Sequence, residues 1–230
     1  PAAEYRYEEI GTWCSQNHNH FTFLWVGDLW ERATFMRGME SLLLDLMMHP
    51  KFVGEILRRL ADYILGTMEI LFERFEFDGV ALSDDYGAQQ SLLMAPDLWR
   101  RFLKPLLREI YSFAHQHGRV VLHHSCGNNH AIVGDLVDVG LDILHPIQPE
   151  AMDIFGLKRE FGRDLTLCGG IPTQHLLPHG DVEEIRAEVR RLKRVMGQGG
   201  GYILEPGITL QADILVKNLV AMIEEAKAYV

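Results

Sequence analysis

The sequence predicts an α/β fold of repeated strand–helix units with parallel strands. Three observations carry that reading. Short apolar runs alternate with long segments whose apolar residues recur at helical spacing. The runs end in small or polar residues, as strands in a parallel sheet do where they meet a ligand-facing rim. The chain has 230 residues, 47% of them hydrophobic, which is enough to bury one large core. It is read as a single domain over residues 1–230.

The elements follow in order. A partial helix is expected at residues 7–15, and residues 21–26 (FTFLWV) read as a strand ending at Gly27. Apolar residues at helical spacing then cover 52–75, and 78–82 (DGVAL) form a strand of the buried type. Pro96 opens a helix, since proline is tolerated in a first turn. That helix runs to about His117, where Gly118 stops it. Residues 119–122 are the next strand, 130–139 a short helix, 141–144 a strand and 154–161 a helix. Residues 165–167 lead into Gly169-Gly170, and Asp181 caps a helix reaching 195. The last strand is 202–204, and a helix covers about 213–229. Met47, Met48 and Met68 fall on helical apolar faces and read as core filler. Six strand–helix units fit two architectures, an open doubly wound sheet or a barrel without its first two strands. In both, ligands bind at the carboxyl ends of the strands.

Composition excludes several functions. A formal net charge of −10 and a pI near 5.5 argue against a nucleic-acid surface, which needs a basic field. The basic stretch at 186–194 lies among acidic residues and reads as a solvated helix face. Cys14, Cys126 and Cys168 are odd in number and widely spaced, so no disulfide framework is expected. That pattern suits a reducing, cytoplasmic compartment. No apolar run approaches the roughly 20 residues of a membrane span, and no signal peptide is visible.

Chemistry gathers at the strand ends, which read Gly27-Asp28, Ser83-Asp84-Asp85, His123 through Asn128, His145-Pro146-Ile147-Gln148, Cys168-Gly169-Gly170 and Glu205-Pro206-Gly207. A parallel sheet brings such ends to one rim. His124-x-Cys126 is the sharpest element, because imidazole and thiolate are good zinc ligands and alternate residues of a strand point to one side. A catalytic zinc keeps three protein ligands, and Asp84, Asp85, Glu205 and Cys168 are candidates for the third. Asp84 and Asp85 could equally act as a base, orient His124 or cap a helix. Asp28, His145 and Gln148 are candidate substrate contacts, with His145 open to a structural reading before Pro146. Gly199-Gly200-Gly201 precedes a strand and so is no dinucleotide loop.

These stretches, taken together, resemble the uroporphyrinogen decarboxylase superfamily. The carrying motifs are Asp84-Asp85-Tyr86-Gly87, Pro96-Asp97-Leu98-Trp99, Phe102-Leu103-Lys104-Pro105, Asp142-Ile143-Leu144, Pro146-Ile147-Gln148-Pro149, Gly169-Gly170-Ile171 and the segment from Gly199 to Leu204. His124-Ser125-Cys126-Gly127-Asn128 is similar to the branch related to corrinoid-dependent methyltransferases. The resemblance implies a (β/α)8 TIM barrel, of which this chain carries strands three to eight and lacks the first two. It implies a methyltransferase-like enzyme in which zinc, held by the HxC pair and a residue after the final strand, activates a thiol for methyl exchange with a corrinoid on a partner protein. The family's third ligand aligns with Ile208, which cannot bind metal, so His124 and Cys126 are expected to be joined by Glu205, Asp84 or Asp85. Asp84, Asp85 and His124 are the expected catalytic residues. Two alternatives stay open: decarboxylation of a porphyrinogen, whose active-site tyrosine aligns with Phe35, and a degenerate barrel that only binds a ligand. Two unpaired edge strands would favour a homo-oligomer.

Overall fold

The computed structural model describes residues 7–228. Its elements run α1 (Glu8–Gln16), β1 (Phe23–Gly27), α2 (Trp30–Arg37), α3 (Met39–Met48), α4 (Pro50–Arg74), β2 (Gly79–Ser83), α5 (Pro96–Phe102), α6 (Lys104–Gln116), β3 (Val120–His124), α7 (His130–Asp138), β4 (Ile143–Ile147), α8 (Ile154–Phe161), β5 (Thr166–Ile171), α9 (Leu176–His179), α10 (Val182–Met196), β6 (Tyr202–Pro206) and α11 (Val216–Lys227). Strand order follows chain order in each of two sets, β1-β2-β3 and β4-β5-β6. The contacts divide the chain into two compact units. One reaches Asp85 and resumes over Met94–His124 and Ile132–Asp142; the other comprises Tyr86–Leu93, Ser125–Ala131 and the chain from Ile143 onward.

In the first unit β1 pairs with β2, and β2 with β3, all parallel. The β2–β3 register is unbroken from Gly79↔Val120 to Ser83↔His124. Asp84 N–H extends it by donating to His124 O at 2.8 Å. The ladder thus delivers Asp84 and Asp85 beside the end of β3. Helix α4 opens on Pro50 and buries Val53, Leu57, Ala61, Ile64, Met68 and Leu71, an unbroken stripe at intervals of three and four. Each of the five larger side chains among them stabilises by about 1.5–3 kcal/mol on burial.

The second unit pairs β4 with β5 and β5 with β6, again parallel. Gly169 has φ +125°, and a Cβ there would stand 2.8 Å from Ile147 N. Only glycine allows β5 to run this close to β4. Helix α10 starts with a full capping box: Asp181 Oδ1 accepts from Glu184 N–H at 2.9 Å, and Glu184 Oε2 accepts from Asp181 N–H at 2.9 Å. Three of its arginines are paired: Arg186 and Arg190 with Glu225, Arg191 with Glu188.

Four expectations needed correction. The single helix expected from Pro96 to His117 is two, broken at Leu103. Pro105 has no N–H for the Arg101 carbonyl and its ring crowds that carbonyl, so the helix restarts. Helices α2, α3 and α9 were not anticipated; none has a side-chain N-cap to announce it. Met47 and Met48 are exposed on α3 rather than core, whereas Met68 is fully buried. The final helix begins at Val216, and its expected end at Tyr229 lies outside the described residues. Among the described residues, no helix is long and apolar enough to cross a membrane.

Candidate functional site

The ends of β2 and β3 carry the chemistry of the first unit. Adjacent residues leaving a strand face opposite ways, and Asp84 and Asp85 divide accordingly. Asp84 is fully buried, and its two oxygens accept from Leu29 N–H at 3.0 Å and Glu31 N–H at 2.8 Å. It therefore fixes the start of α2, where backbone donors and the helix dipole favour a carboxylate. Asp85 is half-exposed and sets Oδ1 3.5 Å from His124 Nε2. The edge of Trp25 stands against the same imidazole, with ring centroids 6.3 Å apart.

Glu31, which the sequence did not single out, belongs to this group. Its Oε2 accepts from Ser83 Oγ at 2.7 Å. Burial is the main cause that raises its pKa; Ser83 opposes the shift, and the Asp85 and Asp28 carboxylates add to it. Asp28 pairs with Arg32 at 3.1 Å and lines a cleft of about 350 Å³ with Gly27, Met36, Leu60 and Tyr63. His123 faces the core instead. Its Nδ1 meets Tyr111 Oη at 2.6 Å, and burial, helped by His124, pushes its pKa down to about 3.

The loop after β3 is held by its own neighbours in the second unit. The buried Asn129 amide donates to Ser125 O at 2.7 Å and Cys126 O at 3.2 Å. Ser125 Oγ donates to Asn129 Oδ1 and accepts from Tyr86 N–H, both at 3.1 Å. Gly127 N–H donates to Gln148 Oε1. Gln148 is itself buried, so what the structure shows for it is support of the Cys126 loop. At Gly127, φ is +80° and a Cβ would fall 2.4 Å from Gly87 C, so two backbones touch where no side chain fits. Cys126 itself is only partly buried, two residues along the chain from His124.

Glu205 is placed with one residue each from β4 and β5. Cys168 Sγ donates to Glu205 Oε2 at 3.0 Å, and His145 Nε2 lies 3.5 Å from that same oxygen. Burial first, then the Glu205 carboxylate, pushes the Cys168 thiol far up. Ile208 and Phe35 are exposed.

The uroporphyrinogen decarboxylase (URO-D) family model matches residues 27–229. The chain belongs to that family. Two curated relatives of this URO-D chain are methylcobamide:CoM methyltransferases MtaA, from Methanosarcina barkeri and from its strain Fusaro. They are 28% and 26% identical over 152 residues, 66% of this chain and 42% of theirs. The URO-D chain thus spans less than half the length of these relatives. A solved structure, a methyltransferase from Methanosarcina mazei, superposes with a TM-score of 0.68 at 22% identity, covering 87% of this chain and 57% of that one. That likeness shows the fold: a parallel α/β sheet of the TIM-barrel type.

Proposed function

We propose that this URO-D-family chain is methyltransferase-like, moving a methyl group from a corrinoid carried by a partner protein to a small thiol in the cytoplasm. The observation that carries the reading is the Asp85–His124 pair at 3.5 Å, with Cys126 two residues beyond His124 in the chain. Asp85 and His124, with Cys126 two positions further along the chain, offer an oxygen, a nitrogen and a sulfur, a donor set that fits zinc. The methyl donor and thiol acceptor are proposed by analogy with the methylcobamide:CoM methyltransferases among its relatives. Asp85 thereby takes the place for which Glu205 was expected, and Asp84 is left with the capping of α2.

Zinc at these residues would lower the pKa of a bound thiol and make thiolate available at neutral pH. The remaining work falls to the chain's own groups. Asp85 supplies the oxygen donor beside the His124 ring. Asn129 and Gln148 hold the loop that aims Cys126. Glu31, whose carboxyl keeps its proton to higher pH, is suited to exchange the proton that a thiol substrate gives up. Asp28, on the cleft wall, is the proposed contact to substrate. His145 is proposed to act through Glu205, and Gln148 through the Gly127 loop.

The test supplies methylcobalamin, zinc and a small thiol to the reduced protein and measures thioether by mass spectrometry. Thioether is expected with the wild type and is expected to be lost in His124→Ala. A zinc-loaded wild type that forms none would remove the methyl-transfer reading.

A further inference from the structure

The residues His145, Cys168 and Glu205 stand outside the zinc set proposed above, and they form a group of their own. β4, β5 and β6 are successive parallel strands of the second unit. Each carries one of the three residues, His145 and Cys168 in mid-strand and Glu205 one residue before the end of β6. One ligand atom from each of the three lies within 4.8 Å of the others. A tetrahedral zinc with bonds of 2.0–2.3 Å holds its ligand atoms about 3.3–3.8 Å apart. The Sγ–Oε2 and Nε2–Oε2 separations of 3.0 and 3.5 Å already lie close to that range. Little movement separates these side chains from a coordination geometry.

Burial is graded in the way an entry path requires. Cys168 is buried, the His145 side chain is 17% exposed and the Glu205 side chain 46%. The platform beneath is stiff. Gly170, at φ +97°, leaves no room for a Cβ against Tyr202 Oη, which donates to Gly169 O at 2.8 Å. Sulfur, nitrogen and oxygen together select a borderline divalent cation over Mg²⁺ or Ca²⁺, which take oxygen sets.

We propose that His145 Nε2, Cys168 Sγ and a Glu205 carboxylate oxygen form a second metal site, taking Zn²⁺ or a similar divalent ion with one position left open. Binding replaces the Cys168 thiol proton by the cation, and that proton leaves to solvent. The Sγ–H that now donates to Glu205 is a proton held in the position of the metal.

The experiment uses the reduced, metal-stripped Cys126→Ser protein, so that the first donor set has no sulfur. It is titrated with Co²⁺ and then with Zn²⁺, following thiolate-to-cobalt charge-transfer absorption and proton release. Absorption saturating near one equivalent, with one proton released and the band lost to Zn²⁺, is expected. Glu205→Gln in the same background should weaken binding at least about tenfold, the scale of losing one ligand or its partner. This variant sits at a half-exposed carboxylate and leaves the core intact, with circular dichroism as the check; Cys168→Ser should abolish the band. Absence of a thiolate band in Cys126→Ser, or a band unchanged by both Glu205→Gln and Cys168→Ser, would overturn the proposal. Thioether formation is not a readout here, so a failure of methyl transfer leaves this result standing, and the reverse.

Discussion

Two adjacent carboxylates show what a residue-level reading resolves and what it does not. The sequence marks Asp84-Asp85 as a strand-end pair but cannot tell which one turns inward, because that depends on the β2–β3 register. In the structure Asp84 caps α2 and Asp85 meets His124. Asp84→Asn should therefore lower stability by about 1–3 kcal/mol, the cost of leaving buried backbone donors poorly matched, while the folded protein keeps its zinc affinity. Asp85→Asn should do the reverse, weakening zinc about 10–100-fold at little cost in stability. Urea unfolding and a chelator competition separate the two. His123 gives a pH prediction. Its pKa is 6.5 in the ordinary state and about 3 in the fold, so below 6.5 the unfolded chain takes up a proton that the folded chain refuses. Stability is whole above that value and falls as pH drops toward 3, by up to about 1.4 kcal/mol per pH unit. Urea midpoints between about pH 7 and pH 5 should shift less in His123→Gln; an equal shift would count against the buried neutral imidazole.

At the scale of elements, periodicity was legible where one face is fully buried. The stripe on α4 and the Asp181–Glu184 box of α10 could be read directly, since each is a local pattern with a local cause. Helices α2 and α3 could not, because no cap starts them and their apolar residues spread around the helix. The loop after β3 was legible as HxC chemistry, but its support was not. Asn129 acts through three carbonyls of one turn, a contact set that no spacing rule encodes. Gly127 is the most exacting position in that loop. Gly127→Ala should both destabilise the protein and reduce zinc affinity, because the added Cβ overlaps Gly87 backbone and φ is positive. Gly118→Ala is the control: its φ is also positive but nothing surrounds it. It should cost about 1 kcal/mol and leave metal binding unchanged. Thermal melts with metal titrations on both variants check this.

For the whole molecule, the fold class was legible in the strand–helix alternation. What covers an apolar face was not legible. Met47 and Met48 read as core, yet they are exposed with Phe35, Met36, Met39 and Leu44 on α2 and α3. Periodicity reports that a helix face is apolar, not what lies against it. An exposed apolar face of this kind favours association, so light scattering should show mass rising with concentration, and Met47→Glu with Met48→Glu should suppress it. A constant monomer mass at all concentrations would contradict that. The central claim is that Cys126 is a zinc ligand beside His124 and Asp85. Its most direct test is the rate at which a thiol alkylator labels Cys126, mapped by peptide mass spectrometry with and without zinc. The expected result is strong protection of Cys126 by zinc in the wild type, lost in His124→Ala and reduced in Asp85→Asn. Equal labelling of Cys126 with and without saturating zinc would contradict it.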